Sequence, residues 1–498
     1  MQRNAVGARP LEPAGDELRA LLAAAVDYVV GVVDRLPDEP ITDSDGVAEL
    51  LADPALRGAP PARGRPVTEL LGVLDRAAAK GVNPGNPGLM AFVPGSGIVA
   101  AAVADLLAGV LNRYTGIAYP APGLVALEAD LLRWLADLVG LPASAAGILT
   151  TGGSMANLSA MITARHAMLG SDFARGTVYV TEQTHHSIAK ALRLAGFPPA
   201  AVRVVPVDPH LRMDLAALTT MISVDRGAGR RPFCVVATAG TTNTGVVDQL
   251  AAIAHIAATQ KLWLHIDAAY GGFFQLTERG RQRLRGIDRA DSVILDAHKG
   301  LFLPFGTGCL LVRDGDTLRD AHSGHDPEYL RDMPKTELPD FADYGPELTR
   351  DFRGLRLWLP LHLHGVDAFR AALDEKLDLA EYVHRELSAD PNLTVLAPPQ
   401  LSTVTFRHRA GEEITAAVLD RVNAERRVFL SSTRVKGQYT ARICVLNHRT
   451  DHTRVAEAVT AIRRHSAQVP ASPNPELSTP TPPIHNPTQF DLPPRFRW

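Results

Sequence analysis

The stretch LWLHIDAAYGG (residues 262–272), followed by SVILDAHKG (292–300), decides the fold class. Each segment opens with a short apolar run typical of a buried strand and ends in small and polar residues. Five similar runs, separated by helical patterns, flank them at residues 147–151, 177–181, 202–207, 233–238 and 308–312. Alternation of strands and helices at this spacing predicts an α/β domain built on a mainly parallel, seven-stranded sheet with helices on both faces.

Outside this core the sequence pattern changes, and it predicts four segments. Residues 1–95 carry amphipathic helical patterns broken by Pro and Gly, which predict a helical N-terminal arm. Residues 96–360 form the large domain, and their polar, Pro-punctuated stretch at about 318–345 predicts a mobile loop. Residues 361–467 predict a small α+β domain, and the Pro-rich residues 468–498 predict a disordered tail.

Bulk properties argue against several classes of function. The chain has 498 residues, is 46% hydrophobic and 21% charged, and carries a net charge of −3, which provides no general attraction to nucleic acid or anionic lipid. The N-terminal residues contain no apolar run of signal-peptide length, and apolar stretches such as 98–111 are shorter than a membrane span. We therefore expect a cytoplasmic protein without nucleic-acid or membrane partners. The three cysteines lie far apart in apolar runs, and no residue spacing predicts a metal site.

Lys299 is the first candidate for chemistry. Only seven of the 51 basic residues are Lys, so a Lys set among apolar and small residues at a strand end calls for a specific reason. A partly desolvated lysine has a lowered pKa and attacks aldehydes as an amine nucleophile. The alternative interpretation is a surface lysine on a loop.

Three other strand ends add polar groups. Asp267 follows a buried strand and would need a cationic partner such as a protonated pyridine nitrogen, although a helix-capping Asp fits equally well. The segment TTGGSMANLSAM (150–161) offers backbone N–H groups to a phosphate at a helix start, although generic Gly-rich turns are nearly as common. After another strand, one imidazole of His185 and His186 could stack on a planar cofactor or transfer a proton.

The order of these groups is more informative than any one of them. A phosphate loop, a His, an Asp and a Lys at the ends of successive strands are what a pyridoxal 5′-phosphate site of the aspartate-aminotransferase-like fold (fold type I) requires. The sequence resembles the group II pyridoxal-phosphate-dependent amino-acid decarboxylases, which include aromatic-L-amino-acid, tyrosine, glutamate and 2,4-diaminobutyrate decarboxylases. The resemblance spans about residues 80–465 and rests on TTGGSMANLSAM, TEQTHHSIAKA, ATAGTTNTGVVD, HIDAAYGG, DAHKG, DPEYL and LTRDFRGLRLWLPLHLHGV, in that order.

This resemblance implies a role for each matching residue. Lys299 would carry pyridoxal 5′-phosphate as a Schiff base, Asp267 would pair with the pyridine nitrogen, and His185 would stack on the ring. Tyr329 in DPEYL matches the mobile-loop tyrosine that protonates Cα after carbon dioxide leaves. The remaining cofactor contacts implied by the resemblance are Ser154, Met155 and Ala156 at the phosphate, Thr242 near the ring and the substrate carboxylate, and His298 and Asp296.

The resemblance also implies the reaction and the assembly. An L-amino acid would be decarboxylated to the amine through an external aldimine and a quinonoid, in a homodimer with active sites at the interface and with residues 1–95 as a dimerisation segment. Asp296 departs from the Asn common in the family and would bring two like charges together beside the phosphate. The positions that correspond to the substrate pocket are Phe92, Pro94, Tyr114 and Thr349, and they favour an aromatic or other apolar substrate.

Two alternative reactions remain open. Relatives use oxygen to convert the same kind of substrate to an aldehyde, and in them Phe replaces the loop tyrosine, so Tyr329 favours plain decarboxylation. The other alternative is a different reaction at Cα or Cβ in specialised metabolism.

Overall fold

The computed structural model describes residues 11–324, 334 and 336–468. Its N-terminal part is helical, as predicted, with two short paired strands. The elements are α1 (Asp16–Arg35), β1 (Thr42–Asp43), α2 (Val47–Ala52), α3 (Val67–Ala78) and β2 (Gly81–Val82). No residue of α1, α2 or α3 is buried in the single chain.

The large domain is built on the predicted seven-stranded sheet, in the spatial order β3-β9-β8-β7-β6-β4-β5. Its strands are β3 (Ala146–Thr150), β4 (Gly176–Thr181), β5 (Val202–Val205), β6 (Arg231–Thr238), β7 (Trp263–Asp267), β8 (Ser292–Leu295) and β9 (Gly308–Val312). Only β9 runs against its neighbours, because the pairs β3–β9 and β8–β9 are antiparallel and the other four pairs are parallel. The carboxyl ends of the parallel strands therefore share one edge, where α/β sheets bind their ligands.

Helices cover both faces of this sheet, and the apolar strand residues pack beneath them in two large clusters. The helices are α4 (Val99–Leu111), α5 (Pro122–Val139), α6 (Gly153–Leu169), α7 (Ser187–Leu194), α8 (Leu215–Gly227), α9 (Leu250–Gln260), α10 (Glu278–Arg283), α11 (Ala297–Gly300), α12 (Gly315–His322) and α13 (Gly354–His364). α12 continues through His322, inside the stretch predicted as a mobile loop from about residue 318.

A smaller α+β unit follows, with a separate apolar cluster. An antiparallel sheet in the order β10-β11-β13-β12 packs against two helices, and a third helix packs on those two. The elements are α14 (Val366–Ser388), β10 (Leu393–Val395), β11 (Thr403–His408), α15 (Glu412–Ala424), β12 (Ser431–Val435), β13 (Gln438–Cys444) and α16 (His452–Gln468). The predicted boundary at residues 360/361 falls inside α13, and the chain turns between α13 and α14 at Gly365, whose φ is 76°. The Pro-rich residues 469–498 lie outside the described residues.

Candidate active site

A cavity of about 270 Å³ opens at the shared carboxyl edge of the large sheet. Lys299, Asp267 and His185, which the sequence places after three different strands, all line it. The remaining wall is Thr151, Gly152, Gly153, Ser154, Met155, Asn157, Ser187, Thr238, Gly240, Thr242, Ala269, Tyr270, Asp296 and His298. Parallel strand topology thus gathers side chains that are far apart in sequence.

Lys299 lies in the one-turn helix α11, just after β8. Its Nζ is 2.9 Å from Oδ2 of Asp296, and the Asp296 side chain is almost wholly buried. Oδ1 of Asp296 has no hydrogen-bond partner among the described residues. Asp296 therefore faces Lys299 and the cavity.

Asp267 ends β7 and is buried. Its Oδ1 accepts a hydrogen bond from the Ala269 backbone N–H at 3.1 Å, and its Oδ2 accepts one from the Asn157 amide at 3.2 Å. Both donors are neutral. A buried carboxylate is stable when it also meets a cation, so this residue suits a positively charged ligand atom.

Of the two adjacent histidines, only His185 lines the cavity, while His186 is exposed. Nδ1 of His185 lies 2.7 Å from the Ser187 hydroxyl. Burial lowers the pKa of His185 below its ordinary value, with Asp267 opposing the shift. The geometry therefore favours a neutral His185 imidazole on the cavity wall.

The glycine loop between β3 and α6 forms another part of the wall. Gly152 has a φ of 141°, a conformation that favours glycine, and a Cβ on Gly153 would lie 2.9 Å from Oδ2 of Asp296. α6 begins at Gly153, and its first residues, Gly153 and Ser154, line the cavity. The first N–H groups of a helix have no acceptor one turn earlier in the helix, so they are available to a ligand. Nδ1 of His298 donates to the Thr307 carbonyl at 2.9 Å, and burial lowers the pKa of His298.

The small domain contacts the segments that carry two residues of the cavity wall, Thr242 and Tyr270. Arg442, on β13, is buried and donates to the Thr242 carbonyl at 2.8 Å and to the Asn243 carbonyl at 3.2 Å. The Tyr270 hydroxyl bonds the hydroxyls of Ser402 and Thr403 at 2.9 and 3.0 Å. Contacts between the two domains therefore fix Thr242 and Tyr270 on the cavity wall.

The sequence of this chain is similar to those of known proteins. The sequence profile described as the pyridoxal-dependent decarboxylase conserved domain matches residues 54–409. The chain belongs to the pyridoxal-dependent decarboxylase family. Family members with similar sequences include an aromatic-L-amino-acid decarboxylase of Bacillus atrophaeus, 35% identical over 477 residues that cover 93% of this chain and 98% of the relative. A phenylacetaldehyde synthase of Arabidopsis thaliana is 30% identical over 421 residues, 79% of this chain and 86% of the relative.

Solved structures of family members have the same fold. The crystal structure of Oryza sativa TDC with PLP and tryptamine aligns with a TM-score of 0.86 at 29% identity, over 92% of this chain and 99% of that one. Catharanthus roseus tryptophan decarboxylase in complex with L-tryptophan aligns with a TM-score of 0.85 at 26% identity, over 93% of this chain and 100% of that one. This protein is accordingly a pyridoxal-phosphate-dependent carboxy-lyase that acts on an amino acid.

The cavity residues of this decarboxylase fit pyridoxal 5′-phosphate. Asp267 offers a buried carboxylate to a protonated pyridine nitrogen, and Lys299 offers an amine to the aldehyde. Oγ1 of Thr238, which lines the cavity, is buried without a hydrogen-bond partner in the described part of the chain. The glycine loop and the start of α6 supply backbone N–H groups for a phosphate.

The described ranges show two further features of this decarboxylase. None of the helices in the residues that the structure describes is long and apolar enough to cross a bilayer. These same ranges hold no group of three or more His, Cys, Asp or Glu side chains placed to bind a metal ion.

Some residues predicted from the sequence lie away from the cavity wall. Ala156 is buried behind the glycine loop, and its backbone N–H donates to the Gly152 carbonyl at 3.1 Å. The four pocket positions do not line the cavity of the single chain: Phe92 and Thr349 are exposed, Pro94 is buried, and the Tyr114 hydroxyl donates to the Leu348 carbonyl at 2.8 Å. Tyr329 lies outside the described residues. The roles of these residues stay predictions.

Sequence reasoning missed several residues of the site. Asn157 lies one helical turn after Gly153, and Ser187 lies two residues after His185, so both were inside segments that the sequence had already marked. Tyr270 was likewise present in DAAYGG. The signal that could have identified these three residues was their short spacing from Gly153, His185 and Asp267.

Proposed function

We propose that this decarboxylase converts an aromatic L-amino acid to its amine and carbon dioxide, and that it works as a homodimer. The observation that carries the proposal is the convergence of Lys299, Asp267 and His185 on one cavity. Similarity to an aromatic-L-amino-acid decarboxylase over nearly the whole length of both chains supports the substrate class.

Each residue of the site has a proposed task. Lys299 holds the cofactor covalently through Nζ and releases the product amine. Asp267 keeps a proton on the pyridine nitrogen, and His185 covers one face of the ring. When bound, the cofactor supplies an electron-withdrawing ring that stabilises the charge left on Cα as carbon dioxide departs.

The chain also supplies groups for binding and proton transfer. Ser154 and Met155 lie in the first turn of α6 on the cavity wall. With Ala156 behind them and His298 beside them, they form the proposed phosphate end of the site. Thr242 is proposed to face the substrate carboxylate. Tyr329 is proposed to deliver a proton to Cα.

Exposed aromatic side chains near the cavity support an aromatic substrate. The Phe305 ring lies 5.8 Å from the His298 ring and is 61% exposed. Phe92 is 55% exposed, and its backbone N–H donates to the Ser431 hydroxyl, which also binds Arg442. These apolar surfaces would gain contacts from an aromatic substrate or from a second subunit.

The direct test is incubation of the purified holoenzyme with a panel of L-amino acids that includes aromatic, acidic and basic members. Mass spectrometry would detect the amines, and carbon dioxide release would give the rates. We expect an aromatic substrate to have the highest kcat/KM. Turnover confined to glutamate or 2,4-diaminobutyrate would contradict the substrate class.

A second candidate function is oxygen-dependent conversion to the aldehyde, because an aldehyde synthase is among the relatives with 30% identity. In that reaction the amino acid, oxygen and water give the aldehyde, carbon dioxide, ammonia and hydrogen peroxide. Amine, aldehyde and peroxide would be measured in the same incubations. We expect the amine to dominate in the wild-type protein and Tyr329→Phe to shift product toward aldehyde and peroxide, whereas an unchanged amine yield would exclude Tyr329 as the proton donor.

A further inference from the structure

A continuous chain of hydrogen bonds lies behind the cavity, on the face of β7 that α6 covers. Trp263, His265 and Asp267 alternate along β7, so their side chains share this face. His265 pairs with Ser292 of β8 in the sheet register, and Asn157 projects onto the same face from α6. All five side chains are buried.

The distances connect these groups without a gap. The Trp263 indole N–H donates to the Ser292 hydroxyl at 2.8 Å, and this hydroxyl lies 2.9 Å from Nδ1 of His265. Nε2 of His265 lies 2.9 Å from Oδ1 of Asn157.

Beyond Asn157 the chain branches toward the cavity. The Asn157 amide nitrogen donates to Oδ2 of Asp267 at 3.2 Å and to the Ser187 hydroxyl at 2.9 Å. The Ser187 hydroxyl then lies 2.7 Å from Nδ1 of His185. Asn157 therefore contacts both the carboxylate and, through Ser187, the imidazole that line the site.

The direction of each hydrogen bond follows from Asp267 at one end of the chain and Trp263 at the other. An ionised Asp267 only accepts, so the NH₂ group of Asn157 must face it and Oδ1 must face His265. Nε2 of His265 must then carry a proton. The Trp263 indole only donates, which leaves the hydrogen of Ser292 free for Nδ1 of His265. Burial lowers the pKa of His265 to about 4, so the ring is neutral with its proton on Nε2.

We propose that His265 is a positioning residue for the cofactor: through its Nε2–H it orients Asn157, and Asn157 in turn orients Asp267 and His185 toward the cofactor ring. This inference rests on the cofactor-binding roles of Asp267 and His185 in the proposed function. A His265 of the other tautomer would turn the Asn157 carbonyl toward the Asp267 carboxylate and leave two acceptors facing each other.

Two substitutions that each introduce a side-chain amide distinguish this positioning role from a role in packing alone. The amide nitrogen of Gln reaches the place of imidazole Nε2, whereas the shorter Asn reaches only the place of Nδ1. His265→Gln therefore retains a donor for Asn157, and His265→Asn retains only the contact with Ser292. Both remove the ring and leave a neutral amide in the same buried position.

The test measures binding of pyridoxal 5′-phosphate to the full-length protein after removal of the bound cofactor, by absorbance titration and without substrate. We expect His265→Asn to raise the Kd about tenfold or more and His265→Gln to stay within about threefold of wild type. Asn157→Asp, which places a second acid against Asp267, should raise the Kd further. The melting temperatures of the two His265 variants, measured without cofactor, should be similar.

Three outcomes are distinguishable. A larger loss of affinity in His265→Asn than in His265→Gln, at similar melting temperature, supports the positioning role. Equal losses in both variants overturn it and leave the proposed function untouched. A difference between the variants in a protein that turns over no aromatic amino acid supports the positioning role and contradicts the proposed substrate class.

Discussion

At the scale of single residues, Lys299 is the amine that we propose holds the cofactor. It is the only lysine on the cavity wall among the described residues, and its Nζ already contacts Asp296 at 2.9 Å. We expect Lys299→Ala to abolish the absorbance band of the covalently held cofactor and to lower kcat by a factor on the order of a thousand or more.

The matched control for this prediction is Lys190→Ala, because Lys190 is an exposed lysine on α7 outside the cavity. Its spectrum and rate should equal those of the wild type. A Lys299→Ala protein that retains the band would show that another amine holds the cofactor.

Because of His265, we also expect the stability of the folded protein to depend on pH. Burial holds its pKa at about 4, below the ordinary value near 6.5, so the folded protein favours the neutral ring. This preference for the neutral ring contributes to the free energy of unfolding above pH 6.5. The contribution is lost as the pH falls from there through about 4. The change is about 3 kcal/mol, since each pKa unit corresponds to about 1.4 kcal/mol.

This prediction is tested by the melting temperature of the cofactor-free protein between pH 7 and pH 4.5. His265→Gln removes the titrating group, so its melting temperature should fall less steeply with acid than that of the wild type. Parallel curves for the two proteins would assign the acid sensitivity to other groups, such as the partly buried His448, whose pKa burial lowers to about 3.

At the scale of elements, a buried ion pair joins α5 to the segment that precedes α13. Oε1 of Glu128 lies 2.5 Å from Arg350, and both side chains are fully buried. Loss of one partner leaves an unpaired buried charge, which costs about 3–5 kcal/mol. We expect Glu128→Ala to lower the melting temperature by several degrees.

α5 also supplies the control for that prediction. The pair between Arg133 and Asp137 is on the same helix, but Asp137 is largely exposed. Asp137→Ala should change the stability by less than about 1 kcal/mol. Equal effects of the two substitutions would mean that solvent or rearrangement satisfies Arg350 once Glu128 is removed.

The secondary-structure elements differ in how well the sequence predicts them. All seven strands of the large sheet were predictable because buried strands are continuous apolar runs bounded by polar loops. β10 and β12 of the small domain are harder to predict from the sequence. The first has only three residues, and the second is an edge strand, SSTRV, whose polar residues bury little.

The features of the active site also differ in how far the sequence predicts them. Lys299, Asp267 and His185 were predictable because each follows a strand and because their order is informative. The contacts of Asn157 with Asp267 and of Arg442 with Thr242 were not, because the partners are 110 and 200 residues apart in the sequence. Helix packing and the closure of the two domains create those contacts, and no local pattern in the sequence encodes them.

At the scale of the whole molecule, the single chain leaves a large apolar surface on two helices. α1 exposes Leu18, Leu21, Leu22, Val26, Val29 and Val30, and α4 exposes Val103, Leu106, Leu107, Val110 and Leu111. On each helix these residues recur at helical spacing and form an exposed apolar stripe, which is typical of an interface. It supports the proposed homodimer and gives the N-terminal arm a physical reason to be helical and amphipathic.

The dimer is tested by light scattering coupled to size-exclusion chromatography, where we expect a mass of twice the 53.4 kDa chain. Val110→Asp combined with Leu106→Glu places two charges on the apolar face of α4 and should give the mass of one chain. The control is Val224→Glu on α8, which charges an exposed valine away from α1 and α4 and should remain dimeric. Because the proposed active sites lie at the interface, the α4 variant should also lose most of its kcat. Full activity in a monomeric variant would show that one chain completes its own site and would separate the apolar face of α4 from catalysis.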